Sequence, residues 1–402
     1  MRVAAPQEWV YDGSVRTGYL MGVQRGTVMA GLRTPMSDML GIEHPVILAG
    51  MSLGQDDGMP SPPRLAAAVT NAGGLGVMGC GSRKPETIEW CIREFRKLST
   101  GPFGIDLLLP ATMADVKVET KAEMRARIEI DYPEHVAFVK GMMEKYNLSN
   151  VALKDDEPAM TQDQLRKQFE VVLDHKVPVF VAGLGDPTWV VPLAREQGMK
   201  VGGMVGAPRH ALRQKAAGVD FVGAQGTEAG GHTGNIATFP LIPQVVGAIA
   251  PIPVMAAGGI GSGRQVAAAL ALGAQAVWCG STFLVAEEND IPTQHQDQII
   301  GGRSEDFTTS KYSTGKQARG FKSPVKEDWE KSGLQPLPMP LQGVLMDPLT
   351  ESARQAVRWD VDAASGGQVG GMLTKRRSAR DILLDMIHEA EETIARLKIV
   401  IS

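Results

Sequence analysis

From residue 45 onward, short apolar runs alternate with longer stretches whose apolar positions recur three and four apart. That is the pattern of buried strands followed by amphipathic helices. The first run, residues 45–51 (PVILAGM), has the length and composition of a buried parallel strand. Residues 61–71 then read as a helix with Ser61 at the N-cap, prolines in its first turn and an alanine-rich body, closed by Ala72-Gly73-Gly74. Further strands are predicted at 75–78, 103–109, 177–181, 201–205, 219–224, 254–257 and 276–279. The intervening helices fall at 85–98, 161–175 behind a Thr161 cap, 187–197, 208–217, 239–250 and 264–272. Eight strands joined by helix-length connections predict a (β/α)8 TIM barrel over residues 41–286. A doubly wound sheet uses the same crossovers and is the competing topology.

The alternation lapses in three places. Residues 1–40 are glycine-bearing and weakly patterned, an N-terminal extension. Residues 110–160, rich in charge and methionine, read as an insertion with helical stretches near 122–127 and 135–146. Residues 287–402 run through a polar stretch and a proline-rich segment at 334–340 before helical periodicity returns at 347–360 and 378–399. They are expected to form a C-terminal helical extension packed on the barrel. The glycine-rich run 366–371 reads either as a loop at the barrel mouth or as a surface linker.

Composition narrows the function classes. With 41 basic and 45 acidic side chains the formal charge is −4, and Lys375-Arg376-Arg377 is the longest basic run, so nucleic acid is not an expected partner. No stretch reaches the roughly 20 apolar residues of a membrane span, and the N-terminus lacks the continuous apolar core of a signal peptide. Cys80, Cys91 and Cys279 have neither disulfide-framework nor zinc-ligand spacing, so a reducing, cytoplasmic setting is expected. Oligomeric state stays open, a homo-oligomer included.

The candidate chemistry follows strands rather than preceding them. Gly50 to Ser52, Asp106, Gly183, the run from Gln225 to His232, Gly258-Gly259 and Gly280-Ser281 all converge on the C-terminal rim of a barrel, where such folds build their sites. In the run QGTEAGGHTG, Gly230 and Gly231 permit close approach of backbone to a flat or anionic ligand, and His232 is the first candidate for chemistry. Its plainer reading is a structural imidazole filling a polar gap. Two glycine turns at neighbouring strand ends, Gly258-Gly259 and Gly280-Ser281, suit a phosphate held by backbone N–H groups and a helix N-terminus. Each alone is ordinary turn chemistry. The segment Gly261-Ser262-Gly263 lacks the context of a dinucleotide fingerprint.

The segment 223–234 (GAQGTEAGGHTG) resembles the hallmark of flavin-dependent nitronate monooxygenases and is similar in the related flavin enoyl-acyl-carrier-protein reductases. Residues 45–51, 71–76 (NAGGLG), 104–108 (GIDLL), 257–260 (AGGI) and 280–284 (GSTFL) support it in order, and 313–320 (STGKQARG) and 366–371 continue it. The resemblance implies an FMN-bound barrel that oxidises nitronates or nitroalkanes with O2. It would set Gly50 and Met51 along the flavin ring, Gln225 near its polar edge, and Gly230 and Gly231 on the ribityl and phosphate side. Gly258, Gly259, Gly280 and Ser281 would hold the phosphate, and His232 would meet the substrate. Two positions depart from the family pattern. Asp106 stands where asparagine is usual, and Trp278 where glutamine is common. An NAD(P)H-using enoyl-thioester reductase is the runner-up, and an FMN-binding protein with a degenerate site is the reading from another class.

Overall fold

The computed structural model describes residues 31–52, 59–81, 83–110, 120–153 and 160–401. Residues 1–30 of the expected N-terminal extension, and 111–119 and 154–159 of the expected insertion, lie outside the described residues. The strands are β1 Val46–Leu48, β2 Gly76–Gly79, β3 Phe103–Leu108, β4 Val179–Gly183, β5 Lys200–Val205, β6 Phe221–Gln225, β7 Gly231–His232, β8 Val254–Ala257, β9 Ala276–Cys279, β10 Phe307–Ser310 and β11 Ala318–Phe321. Eight of them form one parallel sheet in the order β1-β9-β8-β6-β5-β4-β3-β2, and a bridge from Ile47 to Leu75 joins its two edges. The fold is a (β/α)8 barrel. Each apolar run of the sequence became one of these eight strands, with bounds shifted by at most a few residues.

Alternation along the strands sorts two cores. Ile47, Val77, Val179, Val181, Phe221, Met255 and Trp278 fill the barrel interior, while Leu48, Phe180, Val222, Val254 and Val277 face the surrounding helices. The interior is tight enough that a Cβ on Gly202 would lie 2.1 Å from the Phe221 ring. The short Pro35–Leu40 helix inserts Met36 and Leu40 into the interior core, and its cap residue Thr34 donates to the Gln275 carbonyl at 2.6 Å. Gln275 precedes β9, so this helix plugs the N-terminal end and leaves the opposite rim for the site.

Ser61 departs from its expected role. The Pro63–Asn71 helix has Pro62 at its cap and no side-chain cap bond. The Ser61 hydroxyl, fully buried, instead accepts from Met51 N at 2.9 Å and Gly79 N at 2.8 Å and donates to Met51 O at 3.0 Å. It pins the loop after β1 against β2.

The C-terminal region is an excursion that returns to its starting point. After β9 the chain leaves the barrel at Ala286 and comes back beside it at Arg377, where Glu287 N donates to Arg377 O at 3.0 Å. The Ala379–Ile401 helix then buries Ile382, Leu383, Met386, Ile387 and Ala390, packing on the Pro63–Asn71 and Gly263–Ala271 helices. It occupies the place of the eighth outer helix. Within the excursion, helix Thr293–Gly301, β10, β11 and helix Pro324–Ser332 lie in the stretch whose sequence showed no period. Helices Lys121–Asp131 and Pro133–Lys145 of the insertion share a core with helices Pro324–Ser332 and Leu341–Gln355 through Met124, Val139, Met142, Trp329 and Leu345. No helix among the described residues is long and apolar enough to cross a membrane.

Because Leu383 is fully buried against the outer ring, Leu383→Ala is expected to destabilise the whole barrel by about 2–5 kcal/mol, read as a shift of a single denaturant transition. Early loss of the C-terminal helix alone, with the barrel transition unmoved, would show that the helix is an appendage.

Candidate functional site

The C-terminal rim of the barrel opens into a cavity of about 800 Å³. Gly50, Met51, Asp106, Gln225, Gly230, Gly231, His232, Gly258, Gly259, Gly280 and Ser281 all line it, as do Gly183 and Trp278. Strand ends separated by more than 200 residues in sequence therefore meet around one space.

Asp106, at the end of β3, is 7% exposed, and its carboxyl has no hydrogen-bond partner among the described residues. A Cβ on Gly50 would lie 2.2 Å from Asp106 Cβ, and one on Gly183 would lie 2.9 Å from Asp106 Oδ1. These glycines leave the carboxyl its room. Burial without a compensating cation pushes its pKa well above the usual carboxylate range. The shift favours the neutral acid, whose O–H can donate as an amide N–H does.

Gln225, ending β6, donates from Nε2 to the His232 carbonyl at 2.5 Å and so closes the loop between β6 and β7. The Glu228 carboxylate accepts from Thr238 N at 2.9 Å and Thr238 Oγ1 at 2.7 Å, fixing the start of helix Thr238–Ile249 rather than facing the cavity. β7 pairs antiparallel with β11, His232 opposite Ala318 and Gly231 opposite Arg319, and β11 pairs in turn with β10. Arg319 adds a bond from Nε to the Thr227 carbonyl at 3.0 Å. The His232 side chain meets Thr314 Oγ1 through Nε2 at 2.8 Å. Burial, aided by the positive charge of Lys316, lowers its pKa from 6.5 to about 4, so the imidazole is neutral near pH 7. Lys316 lines the same cavity, and its own pKa is lowered by burial.

The two glycine turns form a cradle of N–H groups. Gly258 and Gly259 adopt φ of +101° and +70°, a backbone that glycine takes without strain. Around them, Thr238 Oγ1 lies 3.1 Å from Gly258 O, Gln265 Nε2 donates to Gly259 O at 2.5 Å, and Thr282 Oγ1 donates to Ile260 O at 3.1 Å. With the carbonyls engaged, the N–H groups of Gly259, Ile260, Ser281 and Thr282 have no acceptor among the described residues. Orphan donors of this kind at a cavity wall suit an anion. The N-terminus of helix Gly263–Ala271 is not part of the cradle, whereas Ser281 begins helix Ser281–Leu284. Gly263 N donates to Glu389 of the C-terminal helix at 2.7 Å. Ser281 Oγ accepts from Gly367 N at 2.7 Å, which leaves its proton free to donate.

Gly230 and Gly231 serve different ends. A Cβ on Gly230 would lie 2.6 Å from Gly366 C, so this glycine is required by backbone packing against the 366–371 run. Gln368 N also donates to Glu228 O at 3.0 Å. A Cβ on Gly231, with φ of +68°, would meet nothing within 4 Å. The 366–371 run is thus a wall of the mouth and not a linker. Its Val369 and the side chains of Lys316 and Gln317 are cavity residues that the sequence reading did not single out. The only signal for Lys316 was its place inside the glycine-bearing segment 313–320.

Known proteins share this architecture. The family model described as nitronate monooxygenase matches residues 33–389. The chain belongs to the nitronate monooxygenase family. It is 36% identical over 383 residues to a Mycobacterium tuberculosis protein that carries a monooxygenase name, covering 91% of this chain and 99% of that one. Among solved structures, nitroalkane oxidase from Streptomyces ansochromogenes superposes with a TM-score of 0.75 at 28% identity, over 90% of this chain and 99% of that one. FabK from Thermotoga maritima gives a TM-score of 0.69 at 30% identity, over 91% and 98%. Membership of this family makes the protein a flavin-dependent oxidoreductase.

A carboxyl whose folded-state pKa lies above its ordinary 3.8 favours folding fully only below that value, and the contribution is lost as pH rises through the raised one. Asp106→Asn is therefore expected to raise stability at pH 7–8 and to leave it unchanged near pH 3. Thermal unfolding across that range checks this, and equal stability of the two proteins at pH 8 would show that the carboxyl is not held neutral.

Proposed function

We propose that the protein binds FMN at the barrel rim and oxidises alkyl nitronates with O2. The observation that carries this reading is that a neutral His232 and the cation Lys316, whose charge helps lower the imidazole pKa, line the same cavity as the N–H cradle. The cradle fits a monophosphate. Gly259, Ile260 and Ser281 supply N–H donors and Ser281 a hydroxyl, while a Cβ at Gly280 would press on Met51 Sδ at 3.3 Å. Gly50, Met51 and Gln225 line the space for the ring, and the neutral Asp106 offers it a hydrogen bond without a negative charge. A carboxyl in its neutral form is compatible with an anionic flavin. Bound there, FMN supplies the electron transfer and the reaction with O2.

The side chains at the substrate position select an anion. A histidine with a pKa of about 4 is a weak base at neutral pH, below the range in which a general base works well. It hydrogen-bonds a nitro group well, and Lys316 adds attraction for the charge of an ionised nitronate. The reading is therefore oxidation of the pre-formed nitronate in preference to removal of a C–H proton from the neutral nitroalkane. Binding of the anion would raise the imidazole pKa, strengthening the contact. Three free, buried cysteines fit a cytoplasmic setting.

The holoprotein is expected to purify yellow with non-covalent FMN and to bleach on anaerobic mixing with a nitronate. Bleaching by NADPH alone would instead support the enoyl-thioester reductase reading. His232→Asn is expected to lower kcat/KM for nitronate and nitroalkane together, by roughly 10- to 100-fold, the scale of one hydrogen bond to a charged group. Loss confined to the neutral nitroalkane in steady-state assays would make His232 a general base and overturn the binding role.

A further inference from the structure

A second cavity of about 790 Å³ adjoins the first, and the residues common to both include Ser52, Leu108, Gly231, His232, His295 and Ser365. His232 stands on the wall of both. The second chamber leads away from the phosphate cradle, between the Lys121–Asp131 helix of the insertion and the Leu341–Gln355 helix of the excursion. Met124, Met160, Leu165, Tyr312, Met339 and Val344 give it an apolar, methionine-rich lining that adapts to a flexible ligand. Several of its charged side chains are held in ion pairs. Asp347 lies 3.7 Å from Lys121 and 3.8 Å from Arg125, and Arg354 bonds Asp362 at 2.8 Å and Glu351 at 3.2 Å. His295 donates from Nε2 to the Asp362 carbonyl at 2.7 Å. Ion pairing of this kind leaves the methionines as the surface a ligand meets.

We propose that this chamber is the tail-binding half of the active site, and that the substrate is a planar anion carried on an elongated, mainly apolar body. The inference rests on the anion-binding role given above to His232 and Lys316, and extends it by assigning the substrate class. A cavity of several hundred Å³ holds a drug-sized ligand, and a two- or three-carbon nitronate leaves such a chamber empty. The head meets His232, and the tail enters the chamber that begins on the other side of the same residue.

Straight-chain carboxylates share the planar anionic head and test the chamber without turnover. Calorimetric titration of the purified holoprotein with the series from acetate to decanoate is expected to show Kd falling two- to fourfold per methylene, the upper figure being full burial at about 0.8 kcal/mol per CH2. Gly343 lines the chamber, and a Cβ there would meet only Ser313 O, at 3.8 Å. Gly343→Phe thus adds bulk to the chamber from a helix position with room for a side chain. It should erase the gain beyond the first few carbons and leave acetate binding unchanged, with Gly343→Leu giving an intermediate loss. A wild-type Kd that does not change with chain length overturns the proposal, as does an undiminished gain in a folded Gly343→Phe or Gly343→Leu protein. If the length dependence holds while nitronates fail to bleach the flavin, the chamber assignment stands and the reaction assigned above falls.

Discussion

Two residues of strand hold the site together. Gly231 and His232 form β7, and their partners on β11 come from the excursion that leaves the barrel after β9. A glycine-rich loop of this length has many conformations to lose on ordering. The β7–β11 ladder, the Gln225 bond to the His232 carbonyl and the packing of Gly230 on Gly366 select one of them. The position of the imidazole therefore depends on a region that is not part of the barrel. Arg319 bonding the Thr227 carbonyl, and Lys326 donating to Thr308, Gly320 and Phe321 carbonyls at 3.0–3.1 Å, stiffen that region in turn.

The electrostatics of the cavity follow from burial more than from pairing. Asp106 is driven toward its neutral acid and His232 toward its neutral base by the same desolvation, with Lys316 as the positive group on the wall beside His232. Lys316 and the neutral imidazole favour anionic ligands at that wall, and burial of Asp106 disfavours a carboxylate charge near the ring space. The N–H cradle extends that preference to the far end of the cavity.

Much of this was legible in the sequence because it is local. The eight apolar runs, the glycine turns after β8 and β9 and the histidine after β6 each declare themselves within a few residues. What was not legible depends on partners far along the chain. Ser61 looks like a helix cap and instead bonds Met51 and Gly79, since prolines 62 and 63 start the helix without it. Glu389 accepts from Gly263 N at a helix N-terminus 126 residues earlier, a contact no local pattern announces. β10 and β11 are four residues each, too short to show a period, so Lys316 between them carried no signal of its own. Asp106 stood out in the sequence only as a departure from asparagine, and the burial that raises its pKa is set by the fold.

The meeting of Ala286 with Arg377 makes everything between them a loop whose ends are fixed at one point on the barrel. The entropy of closing a loop grows only slowly with its length. Insertions, deletions or wholesale replacement inside that segment therefore change the barrel's stability little, provided the two ends still meet and the last helix still docks. Such an arrangement divides the constraints on the segment: the barrel asks only that its two ends meet, whereas the imidazole needs β11 within it, so the freedom to vary lies outside the stretch that pairs with β7.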